Sequence, residues 1–190
     1  MEAVADFERC VALLRGGDPA GATTALLSLR DNPQCVDIAR AVLARSTNGD
    51  ALFHALALFR DGALKSWDAR PSNERDAMAA AALDFARGEA ARNAPPYVTA
   101  AAAECFATLW ARGYVDACAA DAHDAAVRRG RDAVVAVAAA GGAAIVATTL
   151  SCLLAELSGV GRTHLGVARA RRAAARHRFG GGGAVACGAV

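Results

Sequence analysis

The chain has 190 residues and a formal net charge of +2, with 55% hydrophobic and 5% aromatic residues. That apolar content excludes a disordered tail, and alanine, the strongest helix former, dominates it. Only five prolines occur, and β-branched residues rarely alternate with polar ones, so the composition speaks against strands and for an all-α fold.

Taken in chain order, Val4, Phe7, Val11 and Leu14 mark the apolar face of a first helix. Gly16, Gly17, Asp18 and Pro19 break it, and Asp18 can cap a second helix with Pro19 at its first position. The second carries Ala22, Leu26 and Leu29 and ends near Asn32. Pro33 opens a third with Val36, Ile38, Ala39, Val42 and Leu43, which stops over 46–49.

The stretch 51–67, ALFHALALFRDGALKSW, organises the rest. At 100° per residue, Leu52, Phe53, Leu56, Phe59, Ala63 and Trp67 share one face, while His54, Asp61 and Lys65 oppose it. Such a wide apolar stripe needs a partner on each side, and similar helices stand before and after it. Gly49 and Asp50 mark its start, and Pro71 follows its end.

Pro71 starts a fifth helix, with Ser72 near its beginning and Met78, Leu83 and Phe85 among its apolar residues. Residues 93–96, NAPP, form a break. The sixth helix runs over 97–112 with Ala102, Phe106, Leu109 and Trp110 inward, and Gly113 reads as its stop. A seventh spans 121–139, Gly141 and Gly142 interrupt, and an eighth spans 143–157. Paired in order, these helices make four hairpins beginning near 2, 33, 71 and 120, a spacing close to the roughly forty residues of HEAT-type repeats. A closed eight-helix domain fits the same pattern.

Residues 1–158 thus read as a helical array and 159–190 as a basic, then glycine-rich, flexible tail. Arg162, Arg169, Arg171, Arg172, Arg176 and Arg178 cluster there with no acid among them. The cluster could meet nucleic acid or anionic lipid, but apart from Phe179 it lacks aromatic residues for base stacking. Neither a nucleic-acid partner nor a membrane span is expected. Gly180 to Gly183 is a flexible run, and no polar closing face of the kind a solenoid's last repeat needs is visible, so the array reads as stopping rather than finishing.

Six cysteines, at 10, 35, 105, 118, 152 and 187, are widely spaced and form no Cys-x-x-Cys. Cys10, Cys35, Cys105 and Cys152 fall within apolar helical patterns, which predicts reduced thiols in a cytosolic or nuclear protein. The acidic, amphipathic start, MEAVADFERC, does not resemble a secretory signal.

Chemical motifs are sparse. GGDPAGAT, 16–23, approaches a phosphate-binding loop, but Ala22 stands where the lysine belongs and no strand precedes it. GVGRTHLG, 159–166, follows a helix rather than a strand and fails for a similar reason. Cys118 and His123, even with His164 and His177 further on, do not make the four-ligand spacing of a zinc site. Asp116, Asp121 and Asp124 could hold a cation but read more simply as partners of a helix dipole. No nucleophile, base and orienting acid stand in a recognisable order. The chain is therefore expected to be a binding protein with no catalytic residues, no metal and no cofactor. The segment 133–155 carries no charge and is long enough to cross a bilayer, which leaves a small membrane protein as one alternative. Its alanine content and paired glycines argue against that.

The segment 53–67, with Leu56, Lys65, Trp67 and Pro71 just beyond, resembles the second repeat of the importin-β superfamily of nuclear transport receptors. Pro96-Tyr97-Val98, Leu109 and the run 111–116, ARGYVD, resemble the inner helix of the third repeat in the exportin-4 and exportin-7 branch. LSCLLAELS, 150–158, is similar to the end of the fourth inner helix, and the basic segment through Arg178-Phe179 to the stretch after it. The resemblance covers about residues 3 to 179.

It implies a right-handed α-α superhelix of about four HEAT-like antiparallel helix pairs, at the start of an exportin-4-like receptor. Such a receptor binds GTP-bound Ran, protein cargo and nuclear pore proteins, and shuttles between cytoplasm and nucleus. Family members grip Ran with the exposed faces of successive inner helices. By helical phase, those positions here are Thr24, Ser28 and Asp31, then His54, Asp61 and Lys65, then Glu104 and Thr108. Leu56, Phe59, Trp67, Phe106 and Trp110, together with Phe53, are expected in the packing between helices. A generic HEAT-type interaction scaffold with no link to Ran is the other reading.

Overall fold

Capping chemistry sets most helix boundaries. The Asp18 carboxylate accepts from the Gly21 N–H at 2.8 Å, and Pro19 occupies the first helical position behind it. The Asn48 side-chain oxygen accepts from the Asp50 and Ala51 N–H groups at 2.9 and 3.3 Å. Each satisfies donors that a helix start leaves without an internal partner. A computed structural model describes residues 2–119, 123–139 and 143–158. Its helices are α1 (Glu2–Gly16), α2 (Pro19–Asp31), α3 (Cys35–Arg45), α4 (Gly49–Lys65), α5 (Ser72–Arg87), α6 (Glu89–Asn93), α7 (Pro96–Ala119), α8 (His123–Ala139) and α9 (Ala143–Ser158). A 3-10 turn, Trp67–Ala69, follows α4. The described fold is all-α, with no strand among the described residues. The arginine cluster, the glycine run, the second glycine motif, Asp121, His164, His177 and Cys187 lie outside them.

Several boundaries depart from the expected ones. The third helix begins at Cys35 instead of Pro33, because the Asn32 side chain accepts from the Gln34 N–H at 2.8 Å and holds a turn there. Trp67 sits in the 3-10 turn beyond α4 rather than within the helix. The fifth helix is interrupted at Gly88, after which α6 supplies a short extra turn. Gly113 does not stop the sixth: α7 continues to Ala119. A glycine inside a helix costs about 1 kcal/mol relative to alanine. Burial of Tyr114 and Val115, each 1% exposed, outweighs that cost.

One core joins α1, α3, α4, α5 and α7, with α2 packed against it and Ala133 of α8 at its end. Phe7 and Val11 of α1, Val36 and Val42 of α3, Met78 of α5, and Val98 and Leu109 of α7 converge on Leu52, Leu56 and Phe59 of α4. α4 packs against α3 on one side and α7 on the other, and α7 in turn packs against α5 and α9. Leu56, Phe59, Trp67 and Phe106 are buried as expected, and Trp110 is half-buried at the edge of the core. Phe53 is not in the core. It remains 39% exposed, edge-on to the His54 and Tyr97 rings, while Leu58 is buried on the other side of the helix. The buried face of α4 is rotated away from Phe53 because α3 and α1 cover the flank that carries Ala55 and Leu58.

Small residues allow this approach. Ala39, Ala51, Ala55, Ala63 and Ala102 are fully buried. Gly62 lies against the Cys35 thiol and Val36. Gly130 of α8 lies against the face of the Trp110 indole, itself stacked on Tyr114 with ring centroids 5.3 Å apart. A methyl group at position 130 would overlap a rigid ring that cannot swing aside. Gly130→Ala should therefore lower stability by about 1–3 kcal/mol, although the same change in an open helix would stabilise. Gly16 has nothing within 4 Å of the space a methyl would take, so Gly16→Ala should leave the denaturation midpoint unchanged or raise it. Trp67→Ala should cost about 3–5 kcal/mol. Urea titrations followed by circular dichroism check all three, and an unchanged midpoint for Trp67→Ala would contradict its packing role.

Candidate functional site

The outward face of α4 carries Asp50, His54, Asp61 and Lys65 at helical spacing, and its neighbours supply partners for the charges. At the first turn, Arg15 of α1 donates to the Asp50 carboxylate at 2.8 Å, and the Tyr97 hydroxyl of α7 donates to the same oxygen at 2.8 Å. In the fourth turn, Arg30 of α2 pairs with Asp61. Arg60 donates through Nε to Asp61 at 3.0 Å and through Nη1 to Glu104 of α7 at 2.8 Å. At the last turn, Lys65 donates to Asp31 of α2 at 2.7 Å. The result is a band of alternating charge crossing α2, α4 and α7.

Four of the expected residues, Asp31, Asp61, Lys65 and Glu104, meet in this band, and His54 lies on the same face. Thr24 and Ser28 are exposed on α2, but both hydroxyls turn back on their own helix. Thr24 donates to the Ala20 carbonyl at 2.9 Å and Ser28 to the Ala25 carbonyl at 2.8 Å. Thr108 is not on a surface at all: it is fully buried. α7 is covered by α4, α5 and α9, so a position opposite one apolar stripe faces another helix instead of solvent. The residues missed by periodicity are Arg30 and Arg60: Arg30 of α2 pairs with Asp61 of α4, and Arg60 of α4 bridges Asp61 to Glu104 of α7. Arg60 lies at the boundary between the apolar and polar sides of α4, with only 14% of its side chain exposed. A long cation at such a boundary, whose stem can lie along the core, was the available signal.

Two open grooves flank the band. One, about 260 Å³, lies between α1, α2 and α4 and is lined by Phe7, Leu14, Leu26, Leu27, Leu58 and His54 among others. The second, about 390 Å³, adjoins it through Leu14 and His54 and reaches Phe53 and Tyr97. His54 stands between them. Burial lowers its pKa below the ordinary 6.5, and the Asp50 carboxylate opposes that shift only in part. The exposed Asp31 carboxyl is held below its ordinary range by the hydrogen bond and charge of Lys65.

A second polar cluster lies at the far end of α4. The Trp67 indole N–H donates to Asp116 Oδ2 at 2.7 Å, and Arg75 of α5 donates to the same oxygen at 2.8 Å. The Arg75 guanidinium also lies 5.9 Å from the Trp67 ring centroid, close enough for a cation–π attraction. Arg112 reaches Asp68 at 2.6 Å and stands 3.7 Å from Asp116. Asp116 is therefore engaged by an indole and arginines. It sits near the carboxyl end of α7, where a negative charge is disfavoured by the helix dipole, and those arginines compensate it. Asp124 occupies the first turn of α8, where the dipole favours an acid.

Among the described residues, no three or more His, Cys, Asp or Glu side chains are grouped to hold a metal ion. The side chains of Cys118 and His123 lie outside what is described. Cys10, Cys35, Cys105 and Cys152 are thiols outside any disulfide. Cys105 is fully buried, which pushes its pKa up to about 12 and leaves it protonated and unreactive. GGDPAGAT forms the turn and cap between α1 and α2. Among the described residues no helix is long and apolar enough to cross a membrane. The described parts of 133–155 belong to two separate helices, α8 and α9.

No family model matches the chain, and no curated protein or solved structure matches it significantly.

The depressed pKa of His54 has a consequence for stability. The folded chain holds the neutral imidazole, whereas the unfolded chain takes up a proton as pH falls through about 6.5. His54 therefore contributes no penalty above that pH and a growing one below it. Denaturation midpoints should fall between about pH 7 and pH 5, and His54→Gln should flatten that part of the profile. An identical slope in the variant would assign the pH dependence to other groups.

Proposed function

We propose that the chain is the amino-terminal part of an exportin-4-like nuclear transport receptor, and that the charged band on α2, α4 and α7 contacts GTP-bound Ran. In this reading the helices pair as α1 with α2, α3 with α4, α5 with α7, and α8 with α9, as HEAT-like hairpins of a right-handed superhelix. The second helices of the pairs form its inner wall. The observation that carries the reading is the succession of contacts α2 to α4, α4 to α7 and α7 to α9, with Asp31, Asp61, Lys65 and Glu104 joined across three of those helices. A layer of second helices stacked side by side is what a solenoid of such hairpins requires.

The binding surface follows from ordinary interface physics. Partly exposed charges on rigid helices steer an approaching protein and set its register. Asp31, Asp61, Lys65, Glu104 and His54 are the candidates to face Ran. Thr24 and Ser28 would contribute through weaker contacts, since their hydroxyl protons are already donated. Thr108 drops out because it is buried. The receptor would carry protein cargo past nuclear pore proteins and shuttle between nucleus and cytoplasm, without a cofactor or catalytic step.

A generic HEAT-type scaffold is the second reading. It is favoured by the apolar grooves beside the band, which suit a peptide-like partner independently of Ran.

Retention of Ran on the immobilised chain separates the two. Ran loaded with a non-hydrolysable GTP analogue should be retained and Ran loaded with GDP should not. The double variant Asp61→Lys, Glu104→Lys should reduce retention roughly tenfold or more. Equal retention of both nucleotide states, or none, would remove the transport reading and leave the scaffold.

A further inference from the structure

The two grooves beside α4 form one apolar trough. They share Leu14 and His54, and its floor and walls are mainly Phe7, Leu14, Leu26, Leu27 and Leu58. Leu27 is 51% exposed at its edge, and Phe53, 39% exposed, marks its far end. From Asp50 to Leu58 the trough runs along roughly 12 Å of α4, at 1.5 Å per residue. That length matches two turns of a docked helix.

The rim is charged asymmetrically. Its two nearest ion pairs are Arg15 with Asp50 and Arg30 with Asp61. In the first, the arginine side chain is 75% exposed and the aspartate 24%; in the second, the values are 46% and 20%. Both carboxylates sit low against α4, and both guanidiniums stand above them toward solvent. Each guanidinium has five N–H donors, more than one carboxylate can use. A ligand lying in the trough therefore meets apolar floor below and cationic, donor-rich groups at its sides.

The walls also select the ligand's backbone conformation. They are helices, whose backbone groups are already paired internally, so they offer no edge for an extended strand to pair with. An extended segment pressed on this floor would leave its own amides unsatisfied. A helix brings its hydrogen bonds with it.

From this we infer that the trough between α1, α2 and α4 binds an acidic amphipathic helix of a partner protein. Two or three leucine-sized side chains of that helix fill the floor, and its Asp or Glu residues meet Arg15 and Arg30. The inference needs only the trough and its rim. It stands or falls separately from Ran binding, which is read by nucleotide-selective retention.

Fluorescence anisotropy on the full chain tests it. The probe is a fluorescein-labelled peptide of about sixteen residues, long enough to hold a helix. It carries Leu at i, i+4 and i+7, Ala on the remaining positions of that face, and Glu on both flanks. A second peptide replaces every Glu by Lys. The acidic peptide should bind saturably, and the lysine version roughly tenfold more weakly or not at all. Leu27→Asp, and separately the pair Arg15→Gln with Arg30→Gln, should each weaken the acidic peptide roughly tenfold. The helical circular dichroism of both variants should remain that of the parent, since all three side chains are largely exposed. Equal binding of the two peptides, or no saturable binding of the acidic one, overturns the proposal without reliance on any variant. So does peptide binding that Leu27→Asp leaves unchanged. Self-association of the free chain that Leu27→Asp abolishes, with no peptide binding, would give the trough to a second copy and overturn it as well.

Discussion

Everything described here depends on how closely two neighbours can approach α4. Ala51, Ala55 and Ala63 are fully buried on its inner side, with Gly62 beside the Cys35 thiol. Small side chains let α3 and α7 come near enough for Leu52, Leu56 and Phe59 to be enclosed from both flanks. Burial of each large apolar side chain contributes about 1.5–3 kcal/mol, and that gain is realised only if the backbones are close. The alanine content that looks monotonous along the chain is thus a packing requirement.

Enclosure on both flanks also determines what is left for binding. The face of α4 that remains open carries Asp50, His54, Asp61 and Lys65, and each acid there is matched by a cation. Arg15, Arg30, Arg60 and Lys65 face Asp50, Asp61, Glu104 and Asp31 in equal numbers. The band is neutral as a whole, in keeping with the small net charge of the chain. Exposed pairs of this kind contribute little to stability, about 0–1 kcal/mol each. Their effect is on register and recognition. Arg15 and Arg30 are the outer members of their pairs, whereas Arg60 is the inner member of its own, so the surface beside α1 and α2 offers donors even though the charge of the band sums to nothing.

The end of α4 is governed by different physics. Trp67 leaves the helix in a 3-10 turn, and its indole N–H must find an acceptor because the ring is 1% exposed. Asp116 supplies it from α7, and Arg75 of α5 neutralises the carboxylate. One indole therefore ties together the α4 terminus, α5 and the last turns of α7. The same contact explains why α7 passes Gly113 without stopping. Tyr114, Val115 and Asp116 all have places in the packed structure that only a continued helix can deliver.

The helical class, the breaks at 16–19, 46–49 and 93–96, the cap at Asp18 and the burial of Leu56, Phe59, Trp67 and Phe106 were all legible along the chain. They follow from local properties: proline geometry, side-chain capping and the phase of apolar residues within one helix. Tertiary structure alone decided the exposure of Phe53, the burial of Thr108, the continuation of α7 and the roles of Arg30 and Arg60. Periodicity gives the phase of a stripe but not the number of neighbours around it. α7 has several neighbours, so that Glu104 reaches solvent while Thr108, one turn further on, is buried, whereas α4 has one open face between α2 and α7. Which side chains reach solvent, and which charges meet, depends on where those neighbouring helices lie.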